Sequence, residues 1–265
     1  ITHTAMVPIQ FQRVVEQMRD VEYDVSSMDG MMSCGSPLHE SLKREIFQSF
    51  PCGIIELYGL TEGIITTLDP EDAAGHWSSV GRPLIGTDIC IVGEDDSVLP
   101  AGESGEICSR GRISMPGYWR REQASREAEF VDADGVQWLR SGDIGYVDGE
   151  GFLYIVDRKK DMILSGGQNI YPQDIEAVLV DHGAVDDVAV IGLPSSRWGE
   201  TPVALVVPVA NNSADVREIL EWANARLGKQ QRLAEVIAVE DLPRNPNGKI
   251  LKRELREIYR DREYA

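Results

Sequence analysis

The sequence is poor in the residues that build metal clusters and disulfide frameworks. Its four cysteines, Cys34, Cys52, Cys90 and Cys108, stand far apart with no Cys-x-x-Cys pair, and 265 residues contain only 4 histidines. That spacing excludes a zinc finger and a disulfide-stapled fold, and it gives reduced thiols in a cytoplasmic setting as the expectation. Long apolar runs are lacking too. The longest, Ala204-Leu-Val-Val-Pro-Val-Ala210, falls far short of the ~20 residues of a membrane span and reads as a strand. Basic side chains are outnumbered, 26 Lys+Arg against 44 Asp+Glu, for a formal net charge of −18. Nucleic-acid binding draws on clustered cations, so a general nucleic-acid binder is excluded and any anionic ligand has to be held by local groups. The opening segment ITHTAMVPIQFQRVV has no initiator Met and no signal-peptide pattern, which gives the expectation of an internal piece of a longer chain.

What is present is enough for a packed protein. Hydrophobic residues make up 42% of the chain, and its length allows one large domain or two modest ones. Charge divides unevenly along it. Residues 1–157 hold 11 basic and 27 acidic side chains, and the remainder holds 15 and 17. The division falls where the glycine-rich stretch Asp148–Asp157 runs into Arg158-Lys159-Lys160, so 157–160 is expected to be a linker.

Periodicity supplies the elements. Phe11, Val14, Val15 and Met18 recur at helical spacing, and a second helix is expected to open at Ser36-Pro37, with Leu38, Leu42, Ile46 and Phe50 on one face. Ile54–Leu57 reads as a buried strand, followed by a loop over Tyr58–Gly63; loops after strand ends are where open α/β sheets bind ligands. From about residue 76 short strands alternate with Gly and Pro: Asp88–Val92, Gly105–Ser109 and Tyr146–Val147. Beyond residue 160, Pro172 opens a helix ending at Gly183. Val185–Leu193, Val203–Val209 and Glu235–Glu240 read as strands, Ser213 caps a further helix, and a last helix follows Gly248-Lys249. The expected architecture is α/β over 1–75, a small β-rich subdomain over 76–157, and an α+β domain over 158–265.

Four segments carry candidate chemistry. In Tyr58-Gly59-Leu60-Thr61-Glu62 the glycine permits close approach of a flat ligand, the threonine hydroxyl can donate to a phosphate, and the carboxylate suits Mg²⁺ bridging phosphates. In Ser141-Gly142-Asp143 an acidic side chain can take ribose hydroxyls. Asp157-Arg158-Lys159-Lys160-Asp161 is followed by Ser165-Gly166-Gly167-Gln168-Asn169-Ile170-Tyr171-Pro172, a backbone surface that a narrow extended ligand can cross. Pro243–Lys249 places a lysine on a tight turn, a point charge able to stabilise a phosphoryl anion.

The ordered series YGLTEG, GRPLIGTDICIV, AGESGEICSRG with MPGYW, LRSGDIGYVDGEGFLYIVDRKKDMILSGGQNIYP and LPRNPNGKILKREL closely resembles the adenylate-forming, AMP-binding superfamily, specifically the acyl-CoA synthetases or fatty-acid–CoA ligases. The resemblance runs from about residue 6 to residue 258. It implies the C-terminal part of a large AMP-binding domain over 1–157, a mobile C-terminal domain over 158–265, and a hinge at 157–160. By position, Gly35, Ser36 and Pro37 match a segment lining the adenine and acyl pocket, in which Cys34 replaces a common glycine. Glu56, Leu57, Tyr58, Gly59 and Leu60 match the segment along the adenine and α-phosphate, Thr61 the phosphate-binding threonine and Glu62 the Mg²⁺ ligand. Asp143 matches the ribose-binding acid, and Ile155 and Arg158 match nucleotide contacts before the hinge residue Lys160. Gly166 and Gly167 match the loop lining the path of CoA, and Lys249 matches the catalytic lysine of adenylation.

The implied reaction is activation of a carboxylic acid by Mg·ATP, followed by transfer to CoA. Family members also carry an upstream phosphate loop and half of the acyl pocket, which these residues lack, so the chain alone is expected to be inactive in adenylation and its partners to be ATP, CoA, an acid and the other half of the same enzyme. A homo-oligomer is compatible with the sequence. Rival readings are an amino-acid adenylation domain of a peptide synthetase, disfavoured by the DRKKDMILSGGQNIYP form of the hinge segment, and a non-catalytic fragment that binds AMP or CoA.

Overall fold

Three short parallel strands open the chain: β1 (His3–Met6), β2 (Gly30–Cys34) and β3 (Ile55–Leu60), linked by α1 (Pro8–Asp20) and α2 (Glu40–Ser49). The computed structural model describes residues 1–209, 215–245 and 248–264, and the chain divides into two compact units, Ile1–Ile155 and Val156–Ala265. In α1, Pro8 occupies the first turn, where its missing N–H costs nothing, and Gln10 reaches back to the Val7 N–H. Phe11 and Val15 bury against Met31, Leu38, Ile46, Phe50 and Ile54, so both helices share one core with the sheet.

The start of α2 departs from expectation. Ser36 and Pro37 do not open the helix; it begins at Glu40 with His39 as N-cap. Leu38 buries in the core ahead of the helix, which draws the chain through extended residues after Gly35, whose φ is +90°. The expected loop at Tyr58–Gly63 also shrinks. Strand β3 continues to Leu60 and pairs antiparallel with β4 (Ile64–Leu68), leaving Thr61–Gly63 as a tight turn closed by the Gly63 N–H on the Leu60 carbonyl at 3.1 Å. The short β5 (Arg82–Pro83) completes this sheet beside β4.

The second sheet of this unit has the order β10-β9-β7-β6, built from β6 (Thr87–Val92), β7 (Gly105–Gly111), β9 (Gln137–Val147) and β10 (Leu153–Arg158), with β8 (Glu129–Val131) on β9 after the short α3 (Glu122–Glu127). Ile64 of β4 packs with Ile91, Ile107 and Leu153 of this sheet, which fixes the β3–β4 hairpin against it. Strand β9 is much longer than Tyr146–Val147. Its ladder to β7 runs Glu106↔Ile144 and then Cys108↔Arg140, so Ser141-Gly142-Asp143 bulge out opposite Ile107. Such a bulge interrupts the sequence pattern of a strand and re-aims a side chain.

In the second unit, β11 (Ile163–Ser165), β12 (Gln168–Ile170), β13 (Val185–Ser195) and β14 (Gly199–Pro208) form a sheet of order β12-β11-β14-β13, with β15 (Glu235–Ala238) parallel to β14. Both faces are covered. Val188, Val190, Ala204 and Val206 pack against α4 (Pro172–Val180) and α5 (Val216–Asn224), while Ala189, Ile191, Val203 and Leu205 pack with Leu255 of α6 (Lys252–Tyr259). Double burial explains why these strands read as continuous apolar runs. Ser213 lies outside the described residues; α5 is capped by Asp215, whose carboxylate accepts from the Arg217 N–H at 2.9 Å. Among the described residues no helix is long and apolar enough to cross a membrane.

Candidate functional site

Parallel register brings the first group of candidate residues together. Ser33 lies beside Glu56 and Cys34 beside Leu57, so Gly35-Ser36-Pro37 leaves the sheet next to Tyr58-Gly59-Leu60. Tyr58 donates to Asp143 Oδ2 at 2.7 Å, linking β3 to the β9 bulge. Asp143 is buried, its own N–H is held by Ser141 Oγ at 3.0 Å, and Gly142 takes the positive φ of 71° that the bulge demands. Ile155 packs on the same apolar cluster as Tyr58 and Leu60. Thr61 and Glu62 occupy the hairpin tip, where the Glu62 carbonyl accepts from the Met115 N–H at 2.8 Å and its carboxylate accepts from the Tyr118 hydroxyl at 3.0 Å.

Glu56 has a different environment from its neighbours. Its carboxylate is buried and lies 2.5 Å from Lys43 Nζ, which also donates to the carbonyls of Trp77 at 2.6 Å and Ser79 at 3.1 Å. Burial pushes the Glu56 carboxyl up, against the pull of Lys43. Its side chain is therefore committed to the protein interior, and only the backbone at this position is left to meet a ligand.

The second unit holds the other group. Lys159 and Lys160 are the exposed residues of a turn flanked by two anchored, buried carboxylates, Asp157 and Asp161. Asp157 is buried and accepts from the N–H groups of Arg158 at 2.6 Å and Gln173 at 3.0 Å, the latter in the first turn of α4, while Asp161 accepts from Arg256 at 2.7 Å. Gly166 and Gly167 make a two-residue hairpin turn between β11 and β12 with φ of +59° and +79°, the pattern that favours glycine. A Cβ on Gly166 would come within 2.9 Å of Trp198, whereas Gly167 faces open space. Lys249 follows Gly248, whose φ is +82°. Asn245 holds it from both sides, donating its N–H to the Lys249 carbonyl and accepting the Lys249 N–H on Oδ1, each at 2.9 Å. Pro246 and Asn247 lie outside the described residues.

The model of the AMP-binding enzyme family matches residues 1–119, and that of the AMP-binding enzyme C-terminal domain matches residues 174–249. The chain belongs to the AMP-binding enzyme family. Among relatives of this AMP-binding enzyme chain, the long-chain-fatty-acid–CoA ligase FadD13 of Mycobacterium tuberculosis is 40% identical over 253 residues, covering 95% of this chain and 48% of the relative. The ATP-bound structure of MatB from Rhodopseudomonas palustris matches with a TM-score of 0.89 at 31% identity, over 98% of this chain and 51% of that one. The o-succinylbenzoate CoA synthetase MenE of Bacillus subtilis, solved with an acyl-adenylate intermediate, matches with a TM-score of 0.83 at 33% identity, over 96% and 51%. The chain thus spans about half the length of the curated relatives it matches.

Sequence reasoning alone missed Lys43, Tyr118 and the role of Asp157 in this AMP-binding enzyme chain. Tyr118 and Asp157 lay in segments already singled out, MPGYW and Asp157–Asp161, whereas Lys43 did not. Asp157 leads to a prediction. Burial pushes its carboxyl up to about 6 from 3.8, with Lys252 and the Gln173 and Arg158 N–H groups pulling the other way. Below about pH 4 the group is protonated in folded and unfolded chains alike. Between about 4 and 6 the unfolded chain loses its proton first, so stability falls as pH rises through that window and is level above it. Asp157→Asn keeps an acceptor for Gln173 and removes the charge. It is expected to raise stability at pH 8 by about 1–3 kcal/mol, an advantage that fades as pH drops to about 4. Thermal unfolding across this range tests the point; a pH-independent difference would contradict it.

Proposed function

We propose that this chain is part of a cytoplasmic, ATP-dependent acid–CoA ligase that forms an acyl-adenylate and then an acyl-CoA thioester. The observation that carries the reading is the Tyr58–Asp143 hydrogen bond at 2.7 Å. It fixes a buried carboxylate beside the strand end that leads into Thr61-Glu62, as recognition of a ribose and its phosphates requires. The four free thiols support a reducing compartment.

In this mechanism Gly35–Pro37 and the Tyr58–Leu60 backbone border the adenine, Asp143 accepts from the ribose hydroxyls, and Ile155 and Arg158 add contacts. Thr61 donates to the α-phosphate as the acid's carboxylate attacks it and pyrophosphate leaves. Lys249 supplies positive charge to the carboxylate and phosphate oxygens. Among the described residues no cluster of three or more acidic, His or Cys side chains could hold a metal. A lone carboxylate fits Mg²⁺, which is bound through one or two carboxylates together with substrate phosphates and water; Glu62 would be that ligand, and the cation would supply neutralisation of phosphate charge. Lys160 serves as the hinge for the second half-reaction, in which the CoA thiol passes along Gly166-Gly167 and displaces AMP. No side chain acts as a covalent nucleophile, so the protein contributes positioning and electrostatic stabilisation.

The test is acid-dependent pyrophosphate release from Mg·ATP over short, medium, long-chain and aromatic acids. It is run on the 265-residue chain and on the complete gene product. Activity of the complete product with at least one acid, followed by CoA-dependent AMP release, is the expected result. Nucleotide binding by the complete product without turnover on any acid would overturn the reading in favour of a non-catalytic nucleotide binder.

A further inference from the structure

The loop that follows β7 touches the hairpin tip twice. Its Met115 N–H bonds the Glu62 carbonyl at 2.8 Å, and its Tyr118 hydroxyl donates to Glu62 Oε1 at 3.0 Å. Close packing makes the apposition specific: a Cβ on Gly63, whose φ is +130°, would lie 2.4 Å from Ser114 Cα. Tyr118 is in turn held by its own backbone, whose N–H donates to Ser125 Oγ at 2.8 Å, while that hydroxyl donates to the Arg121 carbonyl at 3.0 Å. The phenol is therefore presented to Glu62 by a braced loop, although its ring is partly exposed and its burial contributes little.

We propose that Tyr118 is a positioning residue for Glu62, engaging one carboxylate oxygen so that the other is presented to the divalent cation carried on the nucleotide phosphates. This rests on the reading of Glu62 as the Mg²⁺ ligand. An unconstrained glutamate at a turn samples several rotamers, and a cation that keeps near-octahedral geometry and several waters tolerates little misplacement of its one protein carboxylate. A single hydroxyl on one oxygen removes that freedom and leaves the second oxygen's lone pairs available. A phenol is protonated throughout the neutral range, so the hydroxyl stays a donor to the carboxylate. Hydrogen-bond partners of metal-ligating carboxylates typically contribute 10–100-fold to metal affinity; the partial exposure of Tyr118 puts its effect near the low end.

The experiment measures ATP binding by the complete protein calorimetrically without any carboxylic acid, so that no turnover occurs, once with Mg²⁺ and once with EDTA. The readout is the ratio of the two dissociation constants, the strengthening of binding due to the cation. Tyr118→Phe is expected to reduce that ratio about tenfold, with binding in EDTA and the thermal unfolding midpoint unchanged. Glu62→Gln is expected to abolish most of the strengthening, and adding Tyr118→Phe to it is expected to change nothing further, since the hydroxyl then has no ligand to position. If Glu62→Gln leaves the ratio intact, the reading of Glu62 as metal ligand fails. If Glu62→Gln lowers the ratio and Tyr118→Phe does not, or Tyr118→Phe acts equally in both backgrounds, the positioning role of Tyr118 is overturned while the Glu62 reading stands.

Discussion

Replacing Lys249 by alanine in the complete gene product is expected to lower acid-dependent pyrophosphate release by about 10²–10³-fold, equivalent to ~2.7–4 kcal/mol of transition-state stabilisation, by analogy with removal of one preorganised donor. The backbone supports so large an effect. Asn245 clamps both the N–H and the carbonyl of Lys249, and Arg244, paired with Asp187, also bonds the Gly248 carbonyl. The lysine thus extends from a fixed base, and little reorganisation is needed when charge develops on the phosphate. Because the clamp uses only main-chain atoms of Lys249, the alanine variant keeps it. Thioester formation from supplied acyl-adenylate should change far less, since the proposed cycle uses the lysine in the first step only. A variant that adenylates at the parental rate would remove Lys249 from the mechanism.

The second large effect concerns folding. Lys43→Met is expected to destabilise the chain by about 3–5 kcal/mol, the usual cost of breaking a buried ion pair by removing one partner. Glu56 would be left as a buried carboxylate without its cation, and the carbonyls of Trp77 and Ser79 would lose their donor. The desolvated Glu56 then takes up a proton more readily, so the loss should be smaller at pH 5 than at pH 8. Replacing both partners, Lys43→Met with Glu56→Leu, should recover much of the stability, because two apolar groups avoid the desolvation that the pair has to offset. Urea unfolding of the two variants checks both statements. A single-variant loss below about 1 kcal/mol would show the pair to be solvated and weak.

Lys43 also marks where the sequence became hard to read. Leu42 and Ile46 define the apolar face of α2, and a lysine beside them reads as surface; the Glu56 carboxylate on β3 and the carbonyls of Trp77 and Ser79, the latter two over thirty positions away, make its burial tolerable. Composition and helical spacing do not contain that long-range information. The turns and strands that carry the candidate residues were legible because their signals are local: glycines at positive φ in Gly166-Gly167 and Gly248, an acid-bearing turn after β3, alternating and continuous apolar runs. The start of α2 was not legible, because Ser36-Pro37 is a good capping pair by local rules and tertiary burial of Leu38 overrides it. Strand β9 was cut short for the complementary reason. Ser141-Gly142-Asp143 has the composition of a turn, and only the facing ladder of β7 turns it into a bulge. The roles assigned to individual residues came from the resemblance, whereas the Tyr58–Asp143 and Tyr118–Glu62 hydrogen bonds came from the structure.

Glu62 and Asp143, the two acidic groups assigned to the nucleotide, both stand where a strand stops being regular, one on a three-residue turn and the other on a three-residue bulge. Their aim depends on the number of residues as much as on their kind. Deleting one residue from Thr61–Gly63 would carry Ile64, Thr66 and Leu68 from the buried face of β4 to the other, and deleting one from Ser141–Asp143 would straighten the bulge. These two segments should therefore keep their length as well as their residues, so that changes of loop length between relatives fall on other connections.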